Sequence, residues 1–91
     1  MQFMASIAFD PAHHAAIERT VPAEQARVRE LQQQGVLHAL YIPDGAGAPG
    51  NVWVVFNGQS QAAVQQALES LPLYPYMHVE LTPLRALEAR V

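Results

Sequence analysis

The chain has 91 residues, enough for a single domain, and only 14% of them are charged, whereas globular domains average about 25%. A hydrophobic content of 51% excludes a disordered chain. The five basic residues are all arginine and lie scattered, which argues against a nucleic-acid partner, and the absence of cysteine excludes disulfides, thiolate catalysis and cysteine-ligated zinc. So few charges on so small a domain predict that other copies of the chain cover part of its apolar surface.

The sequence predicts neither a membrane-spanning segment nor a signal peptide. The apolar runs are far shorter than the roughly 20 residues of a membrane span. The first residues lack the basic segment that opens a signal peptide. We therefore expect a cytoplasmic protein that makes no contact with a membrane.

The first third of the chain predicts one strand and one helix. Apolar residues alternate over residues 2–9, the pattern of a half-buried strand. Residues 11–19 fit either a short helix or a loop. Residues 20–35 predict a helix, with Thr20 as its N-cap, Pro22 in its first turn and a glycine at its end.

The remaining elements complete a recognisable order. They are a strand over 36–42, a loop over 43–51, a central strand over 52–56, a helix over 60–70, a strand over 76–84 and a tail over 85–91. The order β-α-β-β-α-β is typical of a ferredoxin-like α+β sandwich, here one domain over residues 1–91. Both helices would cover one face of the sheet, and a second sheet from another copy would cover the opposite face.

Glu24 is the first candidate for chemistry. On a helical wheel it lies in the middle of the apolar stripe that contains Val28 and Leu31. Burial would raise the pKa of this carboxyl toward the range of a general acid or base, and Arg27, at i+3, could pair with it. The alternative is that Glu24 complements the helix dipole and reaches solvent.

The histidines offer weaker candidates. His14 and Glu18 have the i, i+4 spacing of two metal ligands, but no further ligands stand at a recognisable spacing, so a surface role is favoured. His38 is predicted to lie mid-strand, in alternation with the apolar residues two positions before and after it. His78 and Glu80 share a strand face, where they are pocket groups if that face lines a cavity and ordinary polar residues if it faces water.

Two segments of unusual composition follow. The Gly-rich loop over 43–50 lacks the ending of a phosphate-binding loop and is interpreted as a hairpin connection. Residues 71–77, which include Tyr76, interleave two prolines and two tyrosines with aliphatic residues and carry no charge. Such a segment suits an interface or pocket wall, or equally a helix-to-strand connection packed on its own core.

The second of these segments carries a resemblance to a known family. Residues 71–84, L-P-L-Y-P-Y-M-H-V-E-L-T-P-L, resemble the closing segment of muconolactone delta-isomerases, L-P-L-F-P-Y-M-x-I-E-V-T-P-L. Residues 30–35, E-L-Q-Q-Q-G, are similar to that family's E-L-Q-R-S-G at the end of its first helix. The resemblance extends over about residues 22–84 and is weak before them.

The resemblance implies both an architecture and a reaction. The architecture is a dimeric α/β barrel of ferredoxin-like subunits, assembled into larger rings, with a pocket between the sheet and neighbouring chains. The reaction moves a double bond in a carboxylated butenolide during aromatic-ring degradation and needs no cofactor. The spacing of the possible ligands gives no reason to expect a metal either. The family's acidic residue on the first helix falls on Glu24.

Two departures from the family pattern point to a different substrate. The family's second strand reads L-W-R, with an arginine suited to a substrate carboxylate, and Ile42 stands in its place here. Of the family's Y-A-N-x-S, only Asn51 is kept, and Trp53 stands where a small hydroxyl would be. Arg27 or His38 could supply the missing cation.

The leading hypothesis is therefore an isomerase that shifts a proton in a small unsaturated lactone or related carbonyl compound. Glu24 would move the proton, and His38, Tyr41 or His78 would polarise the oxygen. The expected substrate-binding residues are Arg27, His38, Tyr41, Asn51, Trp53, Tyr76 and His78. The alternatives are a non-catalytic small-ligand-binding or scaffold oligomer and, by analogy of fold alone, a cofactor-free oxygenase.

Overall fold

A four-stranded antiparallel sheet carries two helices on one face. The computed structural model describes residues 1–44 and 50–87. Its elements are β1 (Gln2–Phe9), α1 (His14–Gln33), β2 (Leu37–Tyr41), β3 (Asn51–Asn57), α2 (Gln61–Glu69) and β4 (Met77–Leu84), with short 3-10 turns at Pro11–His13 and Tyr74–Tyr76. The strand order β2-β3-β1-β4 is that of a ferredoxin-like sandwich, so the predicted fold class is confirmed.

Alternation within the strands separates the two faces of the sheet. Phe3, Ala5 and Ile7 of β1 are buried, and they are paired in register with Phe56, Val54 and Val52 of β3. These side chains meet Leu31 of α1 and Val64 and Leu68 of α2 in one apolar cluster. The residues between them point to the opposite face, which no helix covers within the part of the chain that the structure describes. We call this second surface the open face.

The start of α1 differs from the prediction. The helix begins at His14, six positions before the predicted N-cap, and Thr20 lies inside it, where its hydroxyl donates to the carbonyl of Ala16 at 2.7 Å. Pro22 is likewise internal, although it cannot donate a backbone hydrogen bond. A 3-10 turn over Pro11–His13 precedes the helix, and the side chain of Asp10 caps that turn by accepting from the Ala12 amide at 2.9 Å. The N-cap of α1 itself, His13, makes no side-chain capping hydrogen bond.

The end of α1 and the start of α2 follow the prediction. Gly35 adopts a φ of +75° directly after the helix, a left-handed conformation that glycine takes without steric cost. The hydroxyl of Ser60 accepts from the Ala63 amide at 3.2 Å and so caps α2. Both local signals in the sequence therefore set the element boundaries that they predicted.

Strand β2 contains a bulge that the sequence pattern does not reveal. Its register against β3 shifts between Leu37 and Ala39, so that Leu37 and Leu40 both lie on the helix side of the sheet. The predicted alternation of Val36, His38 and Leu40 is therefore wrong. His38 stands in the bulge and is exposed.

Parts of two predicted segments lie outside the described residues. These are residues 45–49 of the predicted loop and 88–91 of the predicted tail. The described part of the tail, residues 85–87, forms neither helix nor strand. Within residues 1–44 and 50–87, the helices are too short or too polar to span a bilayer.

The apolar cluster between sheet and helices predicts where substitutions cost most. Leu68 of α2 is fully buried, whereas Leu87 is 85% exposed. We expect Leu68→Ala to lower the free energy of unfolding by about 2–5 kcal/mol, because it removes buried surface and leaves a cavity. Urea denaturation measures the change. The matched Leu87→Ala variant should unfold like the parent, and an equal loss in both variants would contradict the described core.

Candidate active site

A cavity of about 590 Å³ lies between α1 and the helix side of the sheet. Most of its wall is apolar. The lining residues are Val21, Glu24, Gln25, Val28, Arg29 and Gln32 from α1, Ile7, Phe9, Leu37, Leu40, Ile42, Val52, Val54 and Met77 from the sheet and its edges, and Leu71 and Leu73 from the connection after α2. Glu24 and Arg29 are the only charged residues among these described lining residues. The cavity can thus hold a small, largely apolar guest.

Glu24 is held in this wall by a backbone contact. The amide of Leu73 donates to Oε1 of Glu24 at 3.1 Å, across 49 positions of sequence. Burial raises the pKa of the Glu24 carboxyl above its ordinary value, and the hydrogen bond from Leu73 opposes part of that rise. The result is a positioned carboxyl whose proton is easier to keep than that of a solvated glutamate.

The helix geometry explains which α1 side chains reach the cavity. Measured from Glu24, the cavity-lining positions of α1 cover an arc from about 0° to about 140° round the helix axis. Glu24 stands at one edge of this arc and Arg29 at the other. Arg27 lies outside it, at about −60°.

The side chain of Arg27 accordingly forms hydrogen bonds outside the cavity. Its Nε and Nη2 each lie 3.1 Å from the hydroxyl oxygen of Ser70, and its Nη1 lies 3.3 Å from Oε2 of Glu30. The guanidinium therefore ties α1 to the end of α2. It forms no pair with Glu24.

Three of the predicted binding residues gather on the open face instead. Asn51, Trp53 and His78 line a shallow groove of about 520 Å³ together with Ser6 and Glu80. Ser6 is paired in register with both Trp53 and Glu80, which places these side chains side by side. His78 and Glu80 share a face as predicted. The sheet separates this groove from Glu24.

The other predicted residues are dispersed. His38 is exposed in the β2 bulge. Tyr41 pairs in register with Trp53, so it lies on the open face beside Trp53 but outside the lining of the groove, and it is 58% exposed. Tyr76 lies in a 3-10 turn with its ring centroid 5.2 Å from that of His13. The structure therefore joins none of them to Glu24.

The connection over residues 71–77 combines the two roles considered for it. Leu71 and Leu73 are buried in the protein and also line the cavity. Sequence reasoning missed the Leu73 amide, since a backbone donor has no signature in side-chain type. It also missed Arg29, which the wheel could have found had the orientation of the helix toward the sheet been known.

The candidate metal pair stands apart from both cavities. Nε2 of His14 lies 3.2 Å from Oε1 of Glu18, and both side chains are mostly exposed. Across residues 1–44 and 50–87, no group of three or more His, Asp or Glu side chains is placed to share a metal ion. The pair is a surface contact on α1.

Comparison with known proteins gives one family. Residues 1–89 match the family described as MIase, muconolactone delta-isomerase. Muconolactone Delta-isomerase 2 of Acinetobacter lwoffii is 41% identical over 61 residues, which is 67% of this chain and 60% of that protein. The match thus spans less than two thirds of the relative's length.

Solved structures show the same architecture. A crystal structure of muconolactone isomerase at 3.3 Å resolution aligns with a TM-score of 0.76 and 25% identity, covering 100% of this chain and 95% of that one. The 5-chloro-2-hydroxyhydroquinone dehydrochlorinase of Burkholderia phenoliruptrix AC1100, solved with 2,5-dihydroxybenzoquinone, aligns with a TM-score of 0.76 over 93% of this chain and 94% of its own. At 14% identity, this second likeness shows the fold alone.

The half-buried carboxyl of Glu24 predicts how the stability of the protein depends on pH. The folded-state pKa of Glu24 lies above the model-peptide value of 4.5, so the folded protein holds this proton where the unfolded chain has lost it. The contribution of Glu24 to stability should therefore be complete below pH 4.5 and decline as pH rises through the folded-state pKa. Denaturation of parent and Glu24→Gln between about pH 4 and pH 8 measures this difference. A difference that grows in favour of the parent as pH rises would show that the pKa is lowered instead.

Proposed function

The chain belongs to the muconolactone delta-isomerase family. We propose that it shifts a proton, and with it a double bond, in a small unsaturated lactone or related carbonyl compound. A place in the breakdown of aromatic compounds is part of the same proposal. The observation that carries it is the Glu24 carboxyl, which is fixed by the Leu73 amide in the wall of a mostly apolar cavity.

The chemistry requires one group that takes a proton and returns it. The ionised Glu24 would remove a proton from a carbon that the carbonyl acidifies, either the carbon next to it or the γ carbon of an α,β-unsaturated lactone. The electron pair of that C–H bond would move through the conjugated system toward the carbonyl oxygen. The protonated Glu24 would then deliver the same proton to a second carbon of the conjugated system. Atoms and electrons balance in this step. The raised pKa of the Glu24 carboxyl lies closer to the pKa that suits a general base at neutral pH.

The carbonyl oxygen gains charge during this shift and needs a donor. Gln25 and Gln32 line the cavity, and each carries a side-chain amide that can donate a hydrogen bond. We assign the polarising role to these amides. His38, Tyr41 and His78 were the donors considered from sequence, and they would serve a guest outside the Glu24 cavity.

The alternative of a non-catalytic scaffold predicts surroundings for Glu24 that differ from those in the structure. A non-catalytic barrel would leave Glu24 in solvent or paired with Arg27. Glu24 instead lines the cavity, and Arg27 is engaged by Ser70 and Glu30. The contacts therefore favour catalysis.

Glu24→Gln tests the proposed function directly. The amide keeps an oxygen that can accept from Leu73 but cannot exchange the proton, so turnover of a panel of unsaturated lactones, muconolactone included, should fall about 10²–10⁴-fold. Absorbance or proton NMR follows the reaction. Glu18→Gln, the same change at an exposed position of α1, should leave turnover unchanged. Full activity in Glu24→Gln, or none in the parent on every lactone, would overturn the proposal.

We further propose that copies of the chain associate through the open face. That face presents Met4, Trp53 and Val55, which no helix covers in the described part of a single chain. The low charged fraction of 14% and the family's barrel architecture support the same arrangement. The groove with Asn51 and His78 would then lie between subunits.

A charge placed on the open face tests this association. Val55 lies at the centre of the face, paired with Met4 and Ala39, so Val55→Arg should convert a dimer or larger assembly into monomers through burial of an unpaired charge. Sedimentation velocity measures the change. The matched Gln66→Arg variant, exposed on α2, should sediment like the parent. A monomeric parent would contradict the proposal.

A further inference from the structure

We propose that Arg29 determines specificity by binding an anionic group of the guest, such as a carboxylate, at the edge of the Glu24 cavity. This inference rests on the proposed function of that cavity as the substrate site. The proposed anion-binding cation lies on α1, at a position that neither the resemblance to the family nor the helical wheel around Glu24 singled out. Arg27 and His38, the two candidates from sequence, do not line the cavity.

The placement of Arg29 suits a guest that also reaches Glu24. Arg29 follows Glu24 by five positions, which puts it about 7.5 Å further along the helix axis and about 140° round it. Both residues line the same cavity, at opposite edges of its α1 wall. A guest with its reacting carbon near Glu24 would therefore place a substituent on its far side within reach of a long arginine side chain.

The guanidinium of Arg29 has no carboxylate in its helical surroundings. The positions three and four residues away on either side are Gln25, Ala26, Gln32 and Gln33, all uncharged. By contrast, Arg27 finds Glu30 at i+3 and bonds to it at 3.3 Å. Among the ion pairs within residues 1–44 and 50–87, Arg29 takes part in none. Its donors are thus available to a ligand.

The opposite wall cannot supply this charge. Leu40 and Ile42 form the β2 side of the cavity and are both exposed to solvent, at 41% and 70%. An anion near them gains no partner, whereas a guanidinium offers a carboxylate two parallel hydrogen bonds. Arg29 is therefore the lining residue, among those described, that would select an anionic guest over a neutral one.

Binding rather than turnover gives the cleanest test. In a Glu24→Gln background, isothermal titration would compare muconolactone, which carries a carboxylate, with its neutral methyl ester. Loss of a hydrogen-bonded charge pair predicts that adding Arg29→Gln weakens binding of the carboxylate about 10-fold or more and leaves the ester unchanged. Arg29→Lys should retain part of the preference, and added salt should reduce it.

Arg19→Gln supplies the control, because Arg19 is exposed on the same helix and does not line the cavity. It should change neither ligand's affinity. Equal effects of Arg29→Gln on the binding of acid and ester, or no effect on either, would overturn the inference. Failure of the Glu24→Gln protein to bind either ligand would also overturn it. If the parent turns over no lactone yet binds the acid through Arg29, the proposed catalysis fails and the anion site stands.

Discussion

The contact between the Leu73 amide and the Glu24 carboxylate is the constraint on which the site depends. It joins the middle of α1 to the connection after α2, and it fixes one carboxyl oxygen while burial keeps the group partly out of water. Two opposing effects act on the same group. Burial favours the neutral acid, and the hydrogen bond favours the anion. The proposed role of Glu24, which is to take and return a proton, uses both the anion and the neutral acid.

The two faces of the sheet contribute to different parts of the structure. The helix side of the sheet forms part of the apolar core and part of the wall of the Glu24 cavity. The open face gathers Trp53, His78 and Glu80 around a separate groove. Because a sheet one residue thick lies between them, a side chain on one face cannot assist chemistry on the other within a single subunit. Of the residues singled out from sequence, Glu24 therefore lies on the helix side, and Asn51, Trp53 and His78 lie on the open face.

Strong local patterns in the sequence predicted the strands and α2 well. Period-two alternation located β1 to the residue, and Ser60 and Gly35 marked helix ends by their side-chain and backbone properties. The predicted start of α1 was wrong because Thr20 and Pro22 have the residue types of a helix start, whereas the helix begins at His14 with no side-chain cap, after a 3-10 turn that Asp10 caps. The β2 bulge failed because a one-residue register shift leaves no mark on composition. For the candidate site, the helical wheel placed Glu24 on the apolar stripe of α1, and the structure puts it in the cavity wall. Tertiary packing determined which other side chains of α1 reach that wall. That packing sends Arg27 to Ser70, 43 positions away, and leaves Arg29 at the cavity.

The central claim is that the guest binds between α1 and the sheet, with its acidic carbon against Glu24. A crystal structure of Glu24→Gln soaked with the unsaturated lactone that the parent turns over fastest tests this most directly. The account predicts the lactone in the 590 Å³ cavity. Its acidic carbon should lie within about 3.5 Å of the side chain at position 24, the distance of a near-attack arrangement. A lactone bound in the open-face groove beside Trp53 and His78, with the cavity unfilled, would contradict it.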